Sequence, residues 1–183
     1  MRKLIFGTIA LSLMFVNCKN EQDPFLVEKQ NVGLLTDSTQ VKELKTIFAN
    51  DSISQFESGE EFSGDIRTIE IFEKGGQKLL VLTPERILDS TSVIKTVQII
   101  DARYKTEKNI STLSTFKDIS STYKISKISN LINSVLVTVN ELNASFAISK
   151  EELPANLRFD MKLKIEETHI PDNAKIKYFF INW

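Results

Sequence analysis

A single cysteine, Cys18, leaves this chain no partner for an internal disulfide, so the fold must be held by its core rather than by covalent staples. The histidine count is equally restrictive. A tetrahedral zinc site takes several His or Cys ligands, and His169 is the only histidine. No cofactor is therefore expected. Glycine is scarce, and no Gly-rich phosphate loop follows a strand-like run. Positive charge is not in excess either: the formal net charge is −1, which argues against nucleic acid as a partner. No apolar run reaches the ~20 residues that span a bilayer.

What the chain does have begins at its first residues. Arg2 and Lys3 precede a short apolar run, Leu4 to Val16, broken only by small residues. Positive charge followed by such a run is the pattern of a signal peptide. The run stops beside the one cysteine, in Phe15-Val16-Asn17-Cys18.

That tetrapeptide resembles the lipobox of bacterial lipoproteins, with Phe15 in place of the usual leucine and Asn17 in place of glycine or alanine. The resemblance implies cleavage before Cys18, a lipid on Cys18, and attachment to a membrane of the cell envelope, the outer membrane on its periplasmic or surface face. Lys19-Asn20-Glu21-Gln22-Asp23-Pro24 is polar and aperiodic, as a tether would be. Its Lys followed by acids is similar to the surface-export signal of Bacteroidetes lipoproteins. The expected organisation is a signal peptide over 1–17, lipidated cysteine and tether over 18–24, and one domain over 25–183.

The domain alternates strand-like runs with a few short helical ones and lacks a regular strand-helix-strand rhythm. The predicted class is α+β, a mainly antiparallel sheet with two or three short helices. Thr68–Glu73 and Gln77–Thr83 flank Lys74-Gly75-Gly76, a hairpin turn with glycines to supply positive φ. Val93–Ile100, Val135–Val139, Ser145–Ile148 and Lys175–Trp183 are further predicted strands, and ending on a strand predicts a C-terminus pinned in the sheet.

The helical runs share a pattern. Thr39-Gln-Val41-Lys42-Glu43-Leu44 to Phe48 and Ser114-Thr-Phe116-Lys117-Asp118-Ile119 to Tyr123 both read hydroxyl, any, apolar, Lys, acid, aliphatic, then an aromatic. Apolar positions at i, i+3 and i+7 lie on one helical face, and Thr115 with Asp118 has the spacing of a capping box. Each run precedes a strand-like one, Ser52–Phe56 and Tyr123–Ile128. This predicts a duplicated helix-strand unit, with halves near Phe25–Pro84 and Thr91–Trp183 joined in one sheet. The stretch Val97 to Ile110, with Tyr104-Lys105-Thr106 and Asn109-Ile110, resembles a run of uncharacterised bacterial envelope lipoproteins in which glycine stands where Asn109 is. Val32-Gly33-Leu34 resembles the same module.

Candidate chemistry is sparse. His169 sits in Glu166-Glu167-Thr168-His169-Ile170-Pro171-Asp172 without a hydrolase signature around it, so a surface loop is expected and no catalytic residue is assigned. Glu57, Glu60, Glu61 and Asp65 cluster around Gly59 and Gly64 but miss the EF-hand spacing; a solvated turn is expected rather than a metal site. Asp37-Ser38-Thr39, Asp51-Ser52-Ile53 and Asp89-Ser90-Thr91 match the O-glycosylation sequon of exported Bacteroidetes proteins, making Ser38, Ser52 and Ser90 candidate glycan acceptors. Phe48, Phe56, Phe62, Phe72, Phe116, Phe146 and Phe159 are expected in the core. Tyr178 to Trp183 presents apolar residues to both faces of a strand; covered faces are expected, with a contact surface as the alternative.

The expected role is thus a membrane-anchored lipoprotein with a non-enzymatic binding or envelope-assembly domain, its partner an envelope protein or a glycan. Two alternatives stand beside it. One is a carboxylate-dependent hydrolase or carbohydrate-processing enzyme, whose paired acids lie far apart in sequence; the other is a carrier of an apolar ligand.

Overall fold

The computed structural model describes residues 22–57 and 67–183. Cys18, Phe62 and the acids Glu60, Glu61 and Asp65 lie outside them. Twelve strands and two short helices follow one another in the described chain, in an order that repeats.

The first unit opens with three very short strands, β1 (Leu26–Val27), β2 (Asn31–Val32) and β3 (Leu35–Thr36), then a 3-10 turn, Val41–Glu43, running into α1 (Leu44–Ile47). Four strands follow: β4 (Ser52–Glu57), β5 (Arg67–Phe72), β6 (Lys78–Pro84) and β7 (Ile94–Ile99). The second unit has β8 (Lys105–Thr106), α2 (Phe116–Thr122), then β9 (Lys127–Asn130), β10 (Ser134–Val139), β11 (Ala144–Ser149) and β12 (Ile176–Asn182). One sheet runs β4-β5-β6-β7-β12-β11-β10-β9, and a small one runs β3-β2-β1-β8. Every pairing is antiparallel except β1 with β8. The α+β class is therefore the observed one.

The repeat extends to individual hydrogen bonds. In the first unit Val41 N–H donates to Ser92 O, Lys42 N–H to Ser90 O, and Ile94 N–H to Thr39 O; in the second, Phe116 donates to Ala174, Lys117 to Asp172, and Ile176 to Ser114. The Thr39 hydroxyl accepts from Thr36 N–H, as that of Ser114 does from Ser111 N–H. A bulge after Thr83 opposite β7 recurs after Ala147 opposite β12. The two units are one architecture built twice and joined in one sheet.

The boundary between them lies later than the sequence pattern placed it. Val93–Ile100 was expected in the second half, but β7 pairs with β6 and closes the first meander; the crossover into the second unit is the short segment after Ile99. The second meander also starts late. Tyr123 is not its first residue but the cap of α2, and its ring, placed by the i+7 spacing on the buried face, lies in the core.

Alternation in the strands sets the core. Ile69 and Ile71, Leu80 and Leu82, Val97 and Ile99, Phe179 and Ile181, Phe146 and Ile148, and Val135 and Val137 share the inner face of the large sheet, and the helices contribute Leu44, Phe48, Phe116 and Ile119 to the same cluster. Phe146 and Phe179 stack at 4.6 Å between centroids. Tyr178 and Phe180 point the other way, the first exposed and the second half-buried, so the outer face of β12 is only partly covered.

Phe159 corrects the expected core. It is 88% exposed, in the long connection from β11 to β12, which makes only 3-10 turns at Lys150–Glu152, Ala155–Leu157 and Glu167–His169. This connection replaces the short β6–β7 loop of the first unit, and no repeat partner exists there to cover Phe159.

Candidate functional site

Two polar constellations stand out, and both lie where the repeats meet. The first joins the end of β7 to β8. Asp101 is buried, and one carboxylate oxygen accepts from Gln77 Nε2 at 2.7 Å and from Arg103 Nη2 at 2.8 Å, while the other accepts from Arg103 N–H at 2.8 Å. Arg103 also holds Glu73 with both terminal nitrogens, at 2.9 and 3.0 Å, and its guanidinium lies 4.5 Å from the centroid of Phe25. Burial pushes the Asp101 carboxyl up, but the hydrogen bonds from Arg103 outweigh it and leave its pKa below the ordinary aspartate value. Burial also raises the neighbouring Tyr104 hydroxyl, with the Asp101 charge adding to it. The two carboxylates are bridged by one arginine, which suits a clamp on the crossover rather than a free acid and base.

The second is a cleft of about 330 Å³ lined by Val27 to Asn31, Glu107, Lys108, Tyr123, Glu141 and Leu142. Two of its walls come from equivalent places in the two units. Phe25-Leu26-Val27-Glu28-Lys29 and Tyr104-Lys105-Thr106-Glu107-Lys108 share aromatic, two residues, Glu, Lys, and β1 and β8 pair in parallel with Leu26 opposite Lys105 and Val27 opposite Thr106. That pairing brings the two Glu-Lys turns side by side. Lys108 Nζ donates to Glu141 at 2.9 Å and sits 4.4 Å from the Tyr123 ring centroid. The bond to Glu141 raises the Lys108 pKa, so the amine stays a cation. Behind the cleft, Trp183 Nε1 donates to Lys29 O at 3.0 Å, fastening the last residue of β12's run to the first unit. The cleft therefore carries charges of both signs, Glu28, Lys29, Glu107, Lys108 and Glu141, beside the buried Tyr123 ring.

Glycine conformation shapes the turn between β2 and β3. Gly33 has φ +55°, and a Cβ there would collide with the carbonyl oxygen of Pro24. Asn109, at the position where the resembled lipoproteins prefer glycine, has φ +65°, a conformation that asparagine tolerates better than other side chains.

Neither a protein-family model nor a curated protein matches the chain. A solved structure does: the uncharacterized protein yfeY from Escherichia coli superposes with a TM-score of 0.57 at 16% identity, over 86% of this chain and 99% of that chain. At that identity the likeness is one of fold.

The residues singled out from sequence are scattered over the surface. His169 Nδ1 accepts from Glu166 N–H at 3.1 Å, capping its own 3-10 turn, and it faces no nucleophile among the residues bonded to it. Ser38, Ser52 and Ser90 are all exposed. Of their preceding aspartates, Asp89 holds its own turn, accepting from the Thr91 hydroxyl, Arg86 and Thr91 N–H, which lowers its pKa to about 2, and Asp37 accepts from Gln30 Nε2. Residues 18–21 of the expected tether lie outside the described residues; of the rest, Gln22 Nε2 donates to Gly33 O at 2.6 Å, and Phe25 N–H donates to Asp23. No described helix is long and apolar enough to cross a membrane.

Sequence reading missed both constellations. The repeated aromatic-x-x-Glu-Lys would have pointed to the cleft; nothing in the sequence pairs Glu73 with Arg103.

Proposed function

We propose that the chain is an envelope lipoprotein, anchored in the outer membrane by a lipid on Cys18, whose domain binds another envelope component, a protein or a glycan, in the cleft between the repeats. The observation that carries the binding half is the parallel pairing of β1 with β8, which puts Glu28-Lys29 and Glu107-Lys108 on one cleft. Mixed charge with amide and aromatic groups suits a polar chain, peptide or sugar, better than an apolar ligand. The core aromatics that a carrier would need around a cavity are instead packed on one another.

Two experiments test the two halves. Cys18→Ser should move the protein from the membrane fraction to the soluble envelope fraction, and a variant that stays on the membrane would overturn the anchor. A photo-crosslinker at Gln30 should trap a partner that the same group at Lys162 does not, with the yield lost in a Lys29→Glu, Lys108→Glu double variant. Equal trapping at both positions would overturn the cleft as the binding site.

A further inference from the structure

The long β11–β12 connection, which stands where the first unit has a short loop, covers a lysine. The bulges set the two units in register here: Pro84 follows one and pairs with Ile94, and Ile148 follows the other and pairs with Ile176. Two residues further on stand Arg86 and Lys150. Arg86 is a surface cation, its side chain 57% exposed and its guanidinium 2.8 Å from the Asp89 carboxylate. Lys150 is only 5% exposed. Among the described residues its ammonium has one partner, Met161 Sδ at 3.3 Å, and no carboxylate. A thioether is a weak acceptor, and a buried ammonium without a counter-charge is costly. The second unit keeps under cover, unneutralised, the cation that the first keeps paired and in water.

The cover over Lys150 is the turn from Asp160 to Leu163, and it is fastened from below. Asn130 pairs with Val135, and Val135 with Ile148, which places Asn130 on the buried face of the sheet that those two residues share. There its Nδ2 donates to the carbonyls of Asp160 and Leu163, both at 2.9 Å. The turn also closes on itself, Lys162 N–H donating to Asp160 Oδ1 at 2.8 Å. Between these anchors Met161 is 46% exposed, so a change of its rotamer into solvent frees the Lys150 ammonium without opening the turn. The same Asn130 carboxamide leaves an acceptor below the turn. Its Oδ1 is buried without a partner among the described residues, and its orientation is set, because the two carbonyls can accept only from the amide nitrogen.

We propose that the site beneath this turn takes a phosphate group, which replaces the Met161 thioether on Lys150. An anionic oxygen gives the ammonium the counter-charge that the described chain does not supply. A singly protonated phosphate also keeps a hydroxyl, the donor that Asn130 Oδ1 lacks, whereas a carboxylate has none to give. Free phosphate and a phosphate monoester share this chemistry. The site is separate from the cleft between the repeats and does not depend on it.

Titration calorimetry on the full chain at neutral pH tests this, with inorganic phosphate, glycerol 3-phosphate and acetate as probes. Phosphate should bind at one site, and acetate about tenfold more weakly or worse. Tighter binding of glycerol 3-phosphate assigns the site to a monoester such as a headgroup, and tighter binding of inorganic phosphate assigns it to the free ion. Lys150→Met keeps the side-chain length and removes a buried charge, so the fold should hold, while phosphate binding should weaken about tenfold or more. Lys162→Met, on the same turn but exposed, should leave binding unchanged. Met161→Ala removes the competing thioether and should tighten binding several-fold, a readout that needs no Lys150 variant. A parent chain that binds no phosphate, equal losses in the two lysine variants, or a Met161→Ala chain that binds no better than the parent would each overturn the site. Acetate binding as tightly as phosphate would overturn its assignment to phosphate.

Discussion

Gln98 and Phe180 face each other across β7 and β12, and they are the same position of the two repeats, reached by counting forward from Ile94 and Ile176. On either side the register exchanges equivalents: Val97 meets Ile181, and Ile99 meets Phe179. Self-facing positions flanked by exchanged neighbours are what an isologous contact between two symmetric copies produces. The seam is therefore built like a dimer interface inside one chain. The small sheet also sets equivalents opposite each other, but in parallel and without exchange: Leu26 meets Lys105 and Val27 meets Thr106.

The seam's inner side should carry much of the stability. Phe179 and Phe146 are fully buried and stacked, so Phe146→Ala leaves a cavity beside the seam, under β11 and β12, and should cost about 3–5 kcal/mol in chemical denaturation. Phe159→Ser, outside the core, should change stability by less than about 0.5 kcal/mol. Similar losses for the two variants would contradict this partition of the aromatics.

Most of the architecture was legible because it rests on local patterns. The Gly75-Gly76 hairpin, the helical i, i+3, i+7 faces and the Thr115 capping box all involve residues close in the chain, where spacing determines geometry. What was hidden needs two distant segments at once. Glu73 reaches Arg103 only because the β5–β6 hairpin and the crossover share one end of the sheet, and Val93–Ile100 looked like the opening of a second unit because a strand's sequence does not say which neighbour it pairs with. Phe159 misled for a related reason: an aromatic beside an apolar run is buried only if some element arrives to cover it.

The Asp101–Arg103 clamp should make stability depend on pH in the acid range. A carboxylate whose pKa falls below its ordinary 3.8 on folding adds stability that is fully present above that value and is lost as pH falls through the folded value. Asp101→Asn should flatten the acid limb of the stability profile and lower stability at neutral pH by about 1–2 kcal/mol, a modest figure because Arg103 is part-exposed. An unchanged acid limb would remove the clamp as its cause.

Asp89 should titrate apart from other exposed acids. Its carboxyl is held at about 2 by Thr91 and Arg86, and carboxyl carbon NMR should find that midpoint in the intact chain. Thr91→Val removes the hydroxyl donor, the largest contributor, and should raise the midpoint toward 3.8. A midpoint near 3.8 in the unaltered protein would mean that the turn around Ser90 is not held in solution.

The two left-handed turns offer the sharpest contrast. At Gly33, alanine meets both a positive φ of +55° and the Pro24 carbonyl, and relief requires moving Pro24, which the Gln22–Gly33 bond ties to the same turn. Gly33→Ala should therefore cost about 1–3 kcal/mol and loosen residues 22–25 against the domain, visible as faster amide exchange at Phe25 and Leu26. At Asn109, φ is +65° but the side chain is already one that accepts it, so Asn109→Gly relaxes the strain while freeing the unfolded chain, and the two effects should leave stability within about 0.5 kcal/mol of the parent. If Gly33→Ala were as neutral as Asn109→Gly, the chain before Phe25 would not be fastened to the β2–β3 turn.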